Sequence, residues 1–80
     1  MKKEYYGIYD RVAKSYCYIG ESKNDDTFAR MCAIMAKDEK TFLGQAPEDY
    51  KGYHLATFDD ENGEFKSIEP EKVWEGNPHE

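Results

Sequence analysis

The first hairpin of this chain is apolar on both of its faces, while only one later stretch has the periodicity of a helix. Tyr5-Tyr6-Gly7-Ile8-Tyr9 is aromatic and β-prone. The polar connector over residues 10–15 has hairpin length, and Tyr16-Cys17-Tyr18-Ile19 returns to Gly20. Strand alternation puts Tyr6 and Ile8 on one face of the first strand and Tyr5, Gly7 and Tyr9 on the other. In the second strand it groups Tyr16 with Tyr18, and Cys17 with Ile19. A single helix shields one face of such a sheet, so the other is left for a ligand, a partner or another copy of the chain.

The helical stretch covers residues 24–39. Asn24, Asp25 and Asp26 supply N-cap candidates and acidic groups near the positive end of the helix dipole. Phe28, Met31, Cys32 and Met35 fall at the spacing of a core stripe. The apolar arc runs from Ile34 round to Ala36 and spans about 200°, wider than one sheet contact requires. It belongs either to a well-buried helix or to one that also touches a second protomer.

Residues 41–50 read as a connector, with Gly44 after the helix and Pro47 as punctuation. A second hairpin follows: a strand over 53–58, a turn over 59–63 and a return over 64–68. Asn62-Gly63 is the strongest short-range hairpin signal in the chain, with loops of two, three or four residues all compatible. From Glu69 the sequence turns charged, and Val73 and Trp74 are expected to pin this tail to the body. The expected fold is α+β: a small antiparallel sheet of about four strands in the order β-β-α-β-β, with one helix packed on one face. Eighty residues allow one domain, residues 1–80, of which 70–80 are expected to form a partly ordered charged tail.

Charge is unevenly spread. Residues 1–40 carry a net +1 and residues 41–80 a net −7, for −6 overall. An acidic balance argues against bulk electrostatic capture of nucleic acid but leaves room for a local basic patch. Cys17 and Cys32 are too few for a disulfide framework, and without a leader-like or membrane-length apolar run they are expected to be free, buried thiols in a reducing cytosol.

Enzyme chemistry has little to stand on. Cys17, Cys32, His54 and His79 lack the short spacings of a structural zinc site. Asp59-Asp60-Glu61 lies on a tight turn, where such groups are ordinarily solvated, and there is no phosphate-cradling glycine loop. No catalytic residue, metal or cofactor is expected. Binding has better material. Tyr5, Tyr9, Tyr16 and Tyr18 lie near Lys2, Lys3, Arg11 and Lys14, so rings that can stack on bases interleave with cations that can follow a phosphate backbone. The same tyrosines would equally serve an oligomer interface.

Two stretches resemble a known family. Tyr6-Gly7-Ile8-Tyr9-Asp10-Arg11-Val12-Ala13-Lys14-Ser15-Tyr16 is similar to the opening of the small nonstructural proteins of gokushovirus-type microviruses, phages with circular single-stranded DNA. Ala46-Pro47-Glu48-Asp49-Tyr50, followed by His54-Leu55-Ala56-Thr57-Phe58-Asp59-Asp60-Glu61-Asn62-Gly63-Glu64-Phe65, is similar to a second family stretch, and the two cover roughly half the chain in order. The family often has Gly just before its Phe-Asp pair, where this chain has Thr57. The resemblance implies a non-catalytic, non-virion protein of the host cytoplasm that supports viral DNA synthesis or packaging. It would bind single-stranded DNA or a viral or host replication protein; the uncovered tyrosine-bearing face is what leads us to expect a homo-oligomer, and no membrane partner is expected. If DNA is contacted directly, the expected residues are Tyr5, Tyr9, Tyr16 and Tyr18 for stacking and Lys2, Lys3, Arg11, Lys14 and Arg30 for phosphates. An acidic protein-binding adaptor or host-factor antagonist, or a purely self-assembling domain, are the alternatives.

Overall fold

The structure is a computed structural model and describes residues 1–78. Four antiparallel strands form one sheet: β1 (Lys2–Asp10), β2 (Ser15–Ser22), β3 (Tyr50–Asp59) and β4 (Phe65–Glu75). Their order across the sheet is β2-β1-β3-β4, so the two hairpins meet along β1 and β3. Between the hairpins the chain forms α1 (Asp25–Lys37), a single turn α2 (Phe42–Gln45) and a 3₁₀ turn at Pro47–Asp49. The molecule is mostly sheet, and it is long, measuring 45 × 23 × 18 Å. A helix of thirteen residues spans about 20 Å, so it covers only part of one face.

Each helix start is made by a side chain that accepts from an otherwise orphaned N–H. Asn24 Oδ1 accepts from the Thr27 amide at 2.8 Å, and Asp25 and Asp26 follow in the first turn. Residues 41–50, expected to be a plain connector, contain the two short turns. Thr41 causes the first of them: its hydroxyl donates to the Met35 and Asp38 carbonyls and accepts from the Gly44 amide at 3.0 Å. This folds the chain back under α1 and drives Leu43 and Pro47 fully into the interior.

The core is Tyr6 and Ile8 from β1, Phe28 and Cys32 from α1, and Leu43, with Met31, Met35, Tyr50, Val73 and Trp74 partly buried around it. Phe28 stacks on Tyr6 with ring centroids 4.7 Å apart. Gly52 admits the ring: a methyl there would sit 2.7 Å from it. Ile34, at one end of the wide apolar arc, is 63% exposed.

The second hairpin closes through a four-residue loop. The Asp59 amide donates to the Glu64 carbonyl and the Gly63 amide to the Asp59 carbonyl, both at 2.8 Å, and Gly63 takes φ +76°. Asn62 keeps a negative φ and instead accepts from the Glu64 amide. The first hairpin turns by different means. Asp10 accepts from the Val12 and Ala13 amides, and Lys14, rather than a glycine, adopts φ +59°.

Two expectations are corrected by the structure. The charged segment after Ile68 is strand as far as Glu75, not a tail, because Trp74 and Val73 pack on the core and the Gly76 amide donates to the Tyr50 carbonyl. Residues 79–80 of the expected tail lie outside the described residues. Cys32 is buried, but Cys17 is exposed on an edge strand. No helix among the described residues is long and apolar enough to cross a membrane.

Candidate nucleic-acid interface

Among the described residues no helix or strand covers the sheet face turned away from α1. From β1 it presents Lys3, Tyr5, Gly7 and Tyr9, the residues alternating with buried Tyr6 and Ile8. The register between β1 and β3 sets Tyr53 opposite Gly7, Lys51 opposite Tyr9 and Phe58 opposite Lys3. On β4, Phe65 lies opposite Phe58 and Lys72 opposite Tyr53. Tyr5, Tyr9, Lys51 and Tyr53 reach this face because a sequence neighbour, Tyr6, Ile8 or Gly52, is buried on the other.

Its six rings form two groups. Tyr9, Tyr16 and Tyr53 meet edge to face, with centroid separations of 5.2 and 6.1 Å along the row. Tyr5, Phe58 and Phe65 form a triangle with separations of 6.4, 5.4 and 6.0 Å. Gly7 lies between the groups, and the Leu55 and Tyr16 side chains lean into the space it leaves. Phe65 is 53% exposed and Tyr16 is 42% exposed, a large apolar commitment to water for a small protein. The Tyr16 phenol is held above its ordinary pKa, first by partial burial and then by the neighbouring Tyr53 and Tyr9 phenols.

Three lysines border the rings. Lys3 Nζ is 3.7 Å from Glu21, Lys72 Nζ is 2.6 Å from Glu75, and Lys51 lies opposite Glu75 in the register. The Lys3 and Lys72 ion pairs are partly exposed and therefore weak.

The structure gathers Lys3, Tyr5, Tyr9 and Tyr16 of the expected site on this face, and disperses the rest. Tyr18 is on the covered side, because a bulge at Cys17 breaks the alternation: Tyr9 faces Tyr16, Ile8 faces Tyr18, and Ile19 joins Tyr16 instead. Lys2 lies opposite Asp59, on the other side from Lys3. Arg11 is bound at 2.7 Å to Asp49 and fastens the first turn to the 3₁₀ turn. Lys14 sits in that first turn, and Arg30 lies along an apolar groove on α1 with Met31 and Ile34. Tyr53, Phe58, Phe65, Lys51 and Lys72 join the face from the second hairpin. Their alternation, 51-53 and then 58, is interrupted by a bulge around Leu55, so spacing alone could not assign them.

Several other polar groups tie parts of the fold together. The Tyr6 hydroxyl donates to Asp25 at 2.6 Å, and burial pushes its phenol pKa well up. His54 stacks on Tyr6 at 4.8 Å, with Nε2 3.3 Å from Glu4. Asp60 and Glu61 hold the N-terminal ammonium at 2.8 and 3.0 Å, which ties the acidic loop to the start of β1. Among the described residues no group of three or more His, Cys, Asp and Glu is placed to hold a metal ion.

A family model described as phage ORF5 protein matches residues 3–77, nearly the whole chain. The chain belongs to the phage ORF5 protein family. The match takes in both hairpins and the helix, so in this ORF5 protein the uncovered face and the core beneath it lie within the family domain. No curated protein and no solved structure matches the chain.

Proposed function

We propose that this phage ORF5 protein binds single-stranded DNA across the open face of its sheet, as a non-catalytic accessory to viral DNA synthesis or packaging. The observation that carries the reading is the uncovered face itself: two groups of rings on rigid strands, bordered by Lys3, Lys51 and Lys72. Every base has a π-face, so such a surface binds without reading sequence. Single strands fit it better than duplex, whose bases are stacked inward. The resemblance of both hairpins to the small nonstructural proteins of gokushovirus-type microviruses supports the same setting, a phage with a single-stranded genome copied in the host cytoplasm.

The net charge of −6 shapes the proposal rather than opposing it. With three lysines on the face, about three phosphates are neutralised, so log K falls with log salt at a slope of about −2. Affinity rests mainly on stacking. The test is fluorescence anisotropy of a labelled single-stranded oligonucleotide at about 50 mM salt. Binding with a shallow salt slope, and none for the matched duplex, supports the reading. Absence of binding at that salt removes direct DNA contact and leaves a replication protein as the ligand of this face.

A further inference from the structure

The two edges of the sheet are built differently. β4 is a guarded edge. Pro70 removes an N–H from it, its pairing with β3 skips residues 68–70, and Lys66, Glu69, Glu71, Lys72 and Glu75 charge its length. β2 has no proline, carries a single charged residue, Glu21, and pairs only with β1, so its outer row of N–H and C=O groups faces no other strand among the described residues. It also displays Ile19 at 62% exposure, with Tyr16 beside it on the open face and Tyr18 on the other. An edge of this kind is a template for another strand.

We propose that β2 pairs antiparallel with β2 of a second copy, joining two sheets into one of eight strands. The register that brings the opposite charges at this edge together counts the strand without the bulged Cys17. With Cys17 outside the count, a two-fold axis at Tyr18 sets Tyr16 opposite Ile19 of the second copy, both on the open face, and Ser15 opposite Gly20 on the other. The same axis brings Lys14 beside Glu21 of the second copy, twice by symmetry. The occupant is a second copy because the edge complements itself in charge: Glu21 near one end of β2 meets Lys14, which precedes the other end. The two-fold runs perpendicular to the sheet, so both aromatic faces point the same way and become one surface. The pairing does not depend on DNA.

The experiment is sedimentation equilibrium of the full chain without nucleic acid, with circular dichroism to confirm folding of each variant. The expected result is a dimer whose dissociation constant rises about tenfold in Glu21→Lys and in Lys14→Glu, where two attractions become repulsions. The double variant Lys14→Glu/Glu21→Lys restores it. Amide exchange adds a main-chain readout: alternate β2 amides become protected as protein concentration rises, and β4 amides do not. A chain that stays monomeric to about 1 mM, a dimer the double variant fails to restore, or a dimer lost in Phe65→Lys but not in Glu21→Lys each overturns the proposal. The last outcome would place the contact on the open face instead.

Discussion

Tyr5 and Tyr6 are neighbours in the chain and point to opposite faces of one strand, and the molecule uses them differently. Tyr6 is 1% exposed, stacked between Phe28 and His54, with its hydroxyl donating to Asp25. Tyr5 meets the rings of Phe58 and Phe65 on the open face and stays half-buried. One face turns its aromatic area into stability, and the other keeps it available. Similar residues are thus divided by what covers them, and substitutions on the two faces should report on different properties.

The largest effect is expected beneath the helix. Phe28→Ala removes a fully buried ring from between Tyr6 and Gly52, and the glycine offers no side chain to fill the space. A loss of about 3–5 kcal/mol is expected, measured by urea unfolding. That is a large share of what a domain of this size possesses, so the variant should be partly unfolded at room temperature. Filling the same place from the strand comes next. Gly52→Ala puts a methyl 2.7 Å from the Phe28 ring, and the overpacking should cost about 1–3 kcal/mol. If both variants unfold like the parent, the core is not where the structure places it.

Smaller effects come from the polar groups of the covered face. Tyr6→Phe keeps the ring and deletes the donor to Asp25, at a cost of about 1 kcal/mol by the same measurement. Alkali probes this face without mutation. Burial raises the Cys32 thiol from 9.0 to about 12 and raises the Tyr6 phenol as well. Between pH 9 and about 12 the unfolded chain releases a Cys32 proton that the folded chain keeps, so stability is complete below pH 9 and falls as pH rises. The unfolding midpoint should drop over that range, and Cys32→Ala should flatten the slope. A parent midpoint unchanged from pH 8 to about 11 would mean that the thiol is not buried.

Much of the covered face was legible in the sequence. The helical stripe of Phe28, Met31, Cys32 and Met35 and the alternation of Tyr6 with Ile8 are local patterns, and local patterns specify what a side chain buries against. The open face was legible as a need for something to cover it, but not in its membership. Tyr18 and Ile19 changed places because of the bulge at Cys17, which a main-chain register creates and no residue type announces. Lys51, Tyr53 and Phe58 arrived through the pairing of β1 with β3, a contact between residues some fifty positions apart, and Phe65 and Lys72 came with them on β4. Arg11 and Lys2 looked like ligands for phosphate because their acidic neighbours Asp49 and Asp59 are close only in three dimensions. The extension of β4 through a charged, proline-containing segment was hidden for a similar reason: Trp74 settles against Gly52, and tertiary packing overrides the composition around it.

The smallest stability effect is the most informative about the comparison. Phe65 lies across from Phe58 at the far end of the open face and packs against Tyr5, yet more than half of it is in water. Phe65→Ala therefore forfeits two tilted ring contacts and little burial, and should lower stability by no more than about 1 kcal/mol. Binding of a single strand should fall by about 1–3 kcal/mol, roughly ten- to hundredfold in affinity, because a stacking platform is lost. Its salt slope should stay the same, because Lys3, Lys51 and Lys72 remain. Lys51→Ala should do the converse and flatten the slope by about 0.7 with the rings in place. Phe28→Ala and Phe65→Ala remove the same kind of side chain, one packed from α1 onto the covered face and one standing on the open face. If both weaken folding and binding in proportion, the open face is merely a thinner part of the core and carries no site of its own.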